Sequence, residues 1–308
     1  MPIPAKPTRV APRVAPRVAS GGVAVTGAYV TLRCARARRC ALTTTVLLTG
    51  SSGAVGGRLV ASLDRARWRL RLFDRVPFPG SPAPADEVVE GALEDEAALA
   101  AALRGTSAVV HLAGLSTPGY AWSDYQRVNV DGTRRVLEAA LGAGCARVVL
   151  ASSHHVLGRT PLTATTRLAE DDPLRPDTYY GASKAAAETL ARLYHDRHGL
   201  EVVCLRIGSF RERPSEWRHR WSWLSPGDLT RVVEAALSAP APGFAVVWAV
   251  SANRDAITST AGAEAIGYRP LDDAARYDDA GLGGGEIGRL YVGGDFCAEG
   301  VDGPATTR

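Results

Sequence analysis

Residues 46–56 read VLLTGSSGAVG, an apolar run that breaks into glycines spaced G-x-x-G-x-x-G. The run 46–49 predicts a buried strand, the glycine segment a turn, and residues 55–65 a helix. Gly50 and Gly53 let the backbone turn tightly and approach an anion, and Gly56 lets the helix pack close to the strand. Ser52, Ala54 and Val55 stand where the helix N-terminus offers amide donors and positive potential. Such a junction suits the pyrophosphate of a dinucleotide. In a chain with 32 glycines the pattern alone is a weak signal, and its place between strand and helix gives it weight.

Further along, a second strand (69–73) ends at Asp74, 24 residues after Gly50, where a carboxylate can accept hydrogen bonds from ribose hydroxyls. That favours NAD over NADP, whose 2′-phosphate it would repel, although Arg75 beside it softens the preference. The run VVHLAG at 109–114 closes a strand on Ala113 and Gly114, small enough for a cofactor to pass. Strands at 108–112, 147–151, 201–206 and 245–250 alternate with helices at 94–103, 123–141, 178–198, 226–238 and 258–266. This α/β alternation predicts a doubly wound parallel sheet of the Rossmann type, with a small C-terminal substrate-binding region. We expect one domain over 44–300, substrate loops in 207–228 and toward the C-terminus, and a short tail at 301–308. Asn129 falls inside a predicted helix, where it is either solvated or bonded to backbone as a brace.

The chemistry centres on YGASK, residues 180–184. Tyr180 and Lys184, four apart on a helix, share one face, and a nearby cation favours the phenolate that can act as a base. The chain has only two lysines, Lys6 and Lys184, so the body's only one stands here. A compact ammonium is not replaced by any of the 34 arginines. Strand 147–151 delivers Ser152, Ser153, His154 and His155 at its C-terminal end, the ligand-binding edge of such sheets. A serine hydroxyl there can bond a reacting oxygen. Side chains of adjacent histidines are expected to diverge, and no acid or cysteine stands at ligand spacing, so no metal site is expected.

At 308 residues, 46% apolar and 22% charged, the chain can bury a sizeable core, and no apolar run is long enough to span a membrane. The net charge of +4 comes from residues 1–45, which hold eight basic groups and no acid, leaving 28 basic against 32 acidic residues beyond them. No nucleic-acid partner is therefore expected. Residues 1–43, with an imperfect PRVA repeat and an arginine cluster, read as a disordered extension or a mis-called start, with an organelle transit peptide as the alternative. The five scattered cysteines fit a reducing, cytoplasmic setting, with Cys145 and Cys204 as small core residues.

Taken together, TGSSGAVG, LFD, HLAG, SSHHVLG and YGASK fall in the order of the NAD-dependent epimerase/dehydratase, or extended short-chain dehydrogenase, family, which the chain resembles over residues 45–300. Within it, the blocks ASSHHVLG, PDTYYGASK, VCLRIGS, WLSPGD and GFAVVWAVS look most like uronate dehydrogenases. The resemblance implies NAD-dependent oxidation of C1 of a hexuronic acid such as glucuronate or galacturonate to a lactone. Tyr180 would be the base, Lys184 would hold Tyr180 and the nicotinamide ribose, and Ser153 would bond the same oxygen. It further implies Ser116, His154, His155, Ser209 and Arg218 as substrate contacts, Leu93 at the adenine, and a homo-oligomer. Arg218 makes chemical sense as a carboxylate clamp, yet Arg211, Arg213 and Arg220 share its loop, and only the resemblance selects it. Two residues depart from the family's habit. His154 stands where Asn is usual, and Ala92 replaces an acid before Leu93. A nucleotide-sugar epimerase or dehydratase, or a non-catalytic NAD-sensing protein, would share the cofactor half.

Overall fold

In the computed structural model, residues 44–277 and 281–302 are described, so the leading segment with Cys34 and Cys40, and residues 303–308, lie outside them. Seven strands form one parallel sheet: β1 Thr44–Thr49, β2 Trp68–Asp74, β3 Glu87–Glu90, β4 Ala108–His111, β5 Arg147–Ser153, β6 Glu201–Ile207 and β9 Phe244–Ala249. Their spatial order is β3-β2-β1-β4-β5-β6-β9. The chain thus reverses its direction of winding between β1 and β4, where Thr49 pairs with His111. A crevice opens at the carboxyl ends of strands at such a switch point. A smaller two-stranded sheet pairs β7 Ser209–Phe210 with β8 Trp223–Leu224.

Alternation along β1 explains the layers. Val46 and Leu48 face a core made with helices α1 Ala54–Ser62, α7 Pro226–Ser238 and α8 Ala261–Ile266. Leu47 faces the opposite core, made with α2 Glu96–Leu103, α4 Gly132–Gly142 and α5 Tyr179–His198. Both faces are covered, which is why the strands read as continuous apolar runs. Each Leu or Val buried in this way contributes about 1.5–3 kcal/mol. Cys145 and Cys204 belong to the second core. Among the described residues no helix is long and apolar enough to cross a membrane.

Three differences from the sequence expectation have physical reasons. Strand β3 was not expected, because it is a four-residue edge strand with glutamates at both ends, one of them paired with Arg71 at 2.7 Å. The expected helix 123–141 divides into α3 Trp122–Tyr125, a π-helical turn Gln126–Asp131, and α4. The wider turn leaves Asn129 only 2% exposed. Finally, α8 starts at Ala261 rather than near 258, because Thr258 pairs with Leu168 and the Ser259 amide bonds the Leu168 carbonyl. A last short helix, α6 His219–Ser222, lies in the substrate loop.

Candidate active site

Two cavities meet at the carboxyl ends of the strands. One, of about 730 Å³, is lined by Gly50, Ser52, Gly53, Asp74, Arg75, Ala92, Leu93, Ala113 and Gly114. Gly50 has φ +72°, and a Cβ there would stand 2.6 Å from the Ala113 nitrogen. Gly56 lies beneath the cavity, where a Cβ would fall 2.2 Å from the Gly50 carbonyl oxygen. Both positions therefore demand glycine, one for its left-handed backbone and the other for close helix packing. Asp74 Oδ2 accepts from the Ser52 amide at 2.9 Å, which fixes the carboxylate at the cavity wall. An anion-ready turn, a positioned carboxylate and a cleft of this volume fit an adenine dinucleotide.

The second cavity, of about 270 Å³, is lined by Ala54, Val55, Ser116, Ser153, His154, His155, Tyr180, Lys184, Ser209 and Arg218, among others. Helix α5 brings Tyr180 and Lys184 to it. Thr178 caps the helix by accepting from the Gly181 amide at 3.1 Å, and Gly199 ends it with φ 70°. The helix is locked to the sheet through Glu188. Ser152 Oγ donates to Glu188 Oε1 at 2.5 Å, and Arg206 donates to both Glu188 oxygens at 3.0 and 2.9 Å. Ser152 is thereby turned to the core, whereas Ser153 hydrogen-bonds Tyr180.

Asn129 is the brace that sequence reading left open. Its side chain donates to the Leu115 carbonyl at 3.0 Å and to Ser183 Oγ at 2.9 Å, and accepts from the Leu115 amide at 2.8 Å. Ser183 Oγ in turn donates to the Tyr180 carbonyl at 2.7 Å. The loop after β4 is thus tied to the first turn of α5. Gly114 is small for the same reason, since a Cβ there would stand 3.0 Å from Asn129 Oδ1 and 3.5 Å from Lys184 Nζ.

The electrostatics correct one expectation. Burial pushes the Tyr180 phenol up to about 12, and the group that opposes this is Ser153, through its hydrogen bond, rather than Lys184. Lys184 Nζ donates to the Ala151 carbonyl at 2.9 Å, and burial brings its ammonium down to about 8. For both groups burial is the largest cause of the shift.

The paired histidines correct another. Their rings do not diverge but lie 4.1 Å apart, tilted by 37°, because a 3₁₀ turn at His154–Leu157 follows β5 directly. His155 Nδ1 stands 2.5 Å from Asp177 Oδ2, and its ring stacks on Phe296 at 4.2 Å. His154 Nδ1 bonds the Ile207 carbonyl at 3.1 Å. Burial first, then the Arg218 charge, holds His155 well below the usual histidine range. Asp177 moves the other way, raised by burial to about 6. Among the described residues no group of three or more His, Cys, Asp or Glu is gathered as for a metal ion.

The basic loop sorts itself by geometry. Arg220 pairs with Asp255 at 2.7 Å and Arg213 lies over the Tyr277 ring at 5.8 Å, while Arg211 and Arg218 line the cavity. Arg218 is held by Nε to Glu216 at 2.8 Å and by Nη1 to the Gly293 carbonyl at 3.0 Å, and its guanidinium packs on Phe296. Ser209 Oγ shares a hydrogen bond with Ser222 Oγ at 3.0 Å. Sequence reading missed Asp177 and Phe296. The first carried a faint signal, an acid one residue ahead of a helix cap, and the second none.

Residues 46–210 match the NAD dependent epimerase/dehydratase family, and the chain belongs to that family. It is an NAD-dependent dehydrogenase within it. A uronate dehydrogenase from Pseudomonas putida is 34% identical over 260 residues, 83% of this chain and 96% of that protein. An L-arabinose 1-dehydrogenase (NAD(P)+) from Haloferax volcanii is 38% identical, covering 75% of this chain and 97% of the relative. The solved structure of a mutant uronate dehydrogenase from Agrobacterium tumefaciens, complexed with NAD, superposes with a TM-score of 0.75 at 32% identity, over 83% of this chain and 97% of that one.

Proposed function

We propose that this enzyme oxidises a hexuronic acid at C1 to its lactone. The observation that carries the reading is one cavity of about 270 Å³ holding both the Tyr180–Ser153 pair and the Arg218 guanidinium. That volume lies just under the roughly 300–1,000 Å³ of drug-sized pockets, so it suits a single sugar and is tight for a nucleoside diphosphate.

Oxidation removes a hydride from C1, for which bound NAD is the acceptor, and a proton from the C1 hydroxyl. Tyr180 takes that proton as phenolate, and Ser153 Oγ bonds the same oxygen and stabilises the base. Lys184 keeps a positive charge beside the reacting centre. Arg218 offers Nη2, which none of its hydrogen bonds among the described residues uses, to the C5 carboxylate. Ser116, His154, His155 and Ser209 face the sugar hydroxyls. Gly50, Ser52, Gly53, Ala54, Val55 and Gly56 shape the pyrophosphate seat, Asp74 receives ribose hydroxyls, and Leu93, Ala113 and Gly114 flank the cofactor. We read residues 44–300 as the unit that carries both cavities.

A second reading, oxidation of a neutral aldose, is favoured by one observation: Arg218 is already partly neutralised by Glu216. Purified enzyme with NAD, assayed for NADH against glucuronate, galacturonate, glucose and arabinose, separates the two. Turnover restricted to the uronates supports the first, and equal or better rates on neutral sugars the second.

A further inference from the structure

Asp177 is a carboxylate buried without a cationic partner. Its side chain is 0% exposed, and among the described residues no arginine or lysine pairs with it. Arg218, whose charge reaches it, is hydrogen-bonded to Glu216 instead. Glu188, also buried, shows the ordinary remedy, since Arg206 donates two bonds to it. Asp177 has an imidazole in that place: His155 Nδ1 lies 2.5 Å from Oδ2, and Thr178 Oγ1 donates to Oδ1 at 2.9 Å. Backbone from three separate segments makes room for the carboxylate. A Cβ at Gly158 would stand 1.8 Å from Oδ2, one at Gly293 1.9 Å from it, and one at Gly181 2.9 Å from Oδ1. A desolvated acid is costly to keep, so a fold that shapes three glycines around one gives it a role.

The role follows from the partner. Burial raises Asp177 to about 6 and holds His155 well below the usual histidine range, so near neutral pH a carboxylate faces a neutral ring. A carboxylate only accepts, which places the ring hydrogen on Nδ1. Phe296, stacked at 4.2 Å, fixes the plane of the ring, and Asp177 fixes its rotation within that plane. With Nδ1 engaged, any hydrogen bond from the His155 ring to a molecule in the cavity it lines is made by Nε2, as an acceptor.

We infer that Asp177 is a positioning residue: it holds His155 in one orientation and one tautomer, so that the substrate meets an acceptor there. This rests on the reading above that His155 faces the sugar. Thr178 makes the asparagine variant informative. Its Oγ1 accepts from the Gly181 amide at 3.1 Å and so directs its own hydrogen at Oδ1 of Asp177. In Asp177→Asn the amide oxygen keeps that place, and the amide nitrogen turns to His155. It then donates to Nδ1 and moves the ring hydrogen to Nε2. One change of nearly equal shape thus inverts the polarity of His155 without adding or removing an atom in the cavity.

The test joins a spectrum to kinetics. Full-length protein labelled with ¹⁵N at its six histidines reports each ring's tautomer by NMR, with His155 assigned from His155→Gln. Wild type, Asp177→Asn, His155→Gln and the double variant are assayed on glucuronate and galacturonate, with NAD affinity and thermal melting in parallel. His155 is expected as the Nδ1–H tautomer in wild type and as Nε2–H in Asp177→Asn. That variant should raise KM for the uronate about tenfold to a hundredfold, with kcat within about threefold and NAD affinity near wild type. The double variant should be no worse than His155→Gln by more than about twofold, because Asp177 acts through that ring. An Nε2–H ring in wild type overturns the inference without any variant having to fold. So does a tautomer switch with no change in KM, or single losses that multiply in the double variant, which make Asp177 a packing residue. Wild type with the Nδ1–H ring that binds NAD and oxidises no uronate overturns the uronate reading instead.

Discussion

The two cavities are made in opposite ways. The larger one is shaped by missing side chains: Gly50, Gly53 and Gly114 leave backbone at its wall, Gly56 lets the helix pack close beneath it, and Asp74 is one of the acids that line it. The smaller one is made of side chains delivered from distant segments, with Ser116 after β4, Ser153 to His155 after β5, Tyr180 on α5, Arg218 before α6 and Phe296 near the C-terminus. Backbone chemistry recognises what all substrates of such a fold share, and side chains decide which sugar is read. The first region should break when atoms are added, and the second when they are removed.

The largest effect is expected from Tyr180→Phe, which deletes the base oxygen while keeping the ring that packs 5.7 Å from His155. Turnover should fall by about 10³-fold or more, with NAD affinity by fluorescence titration near that of wild type. Loss of NAD binding as well would show that the two regions are not separable. Next, Arg218→Ala should lower kcat/KM on uronates by about 100-fold and change neutral aldoses little, read as a ratio of steady-state rates. An equal loss on both would make Arg218 a strut for Phe296 and Gly293 rather than a carboxylate clamp.

In the cofactor region, Gly56→Ala forces a methyl into the space held by the Gly50 carbonyl. A cost of about 1–3 kcal/mol is expected, seen as a lower melting temperature and weaker NAD binding, with the sugar preference untouched. The smallest effect concerns pH. Tyr180 must lose its proton to act, its phenol stands at about 12, and the Ser153 hydrogen bond lowers it. Activity should therefore climb with pH from neutrality until Lys184, at about 8, gives up its charge. Ser153→Ala should move that limb to still higher pH and cut the rate at neutral pH by about tenfold. A limb that stays in place would mean that Ser153 touches the sugar alone.

The same contrast governs how much could be read in advance. The β1–turn–α1 junction was legible because its determinants lie within eleven consecutive residues and glycine's role there is conformational. The Tyr180/Lys184 pair was legible because a helix converts spacing into proximity. By contrast, β3 hides behind charges that suit an edge strand, and the π turn that buries Asn129 follows a pattern that reads as ordinary helix. The close approach of His154 and His155 depends on a 3₁₀ turn beginning directly after β5, which strand alternation does not foresee. Asp177 and Phe296 act only through the tertiary fold that carries them to His155. Of four arginines in one loop, geometry rather than sequence shows Arg213 and Arg220 occupied elsewhere.

Lys184 is the only lysine from residue 44 onward, and it is 8% exposed at the join of the two cavities. An acylating reagent small enough to reach it would meet no competing lysine side chain anywhere in the described fold. Burial also leaves this amine, at about 8, a better nucleophile near neutral pH than a surface lysine. The extent of labelling at one peptide then becomes a direct gauge of site occupancy.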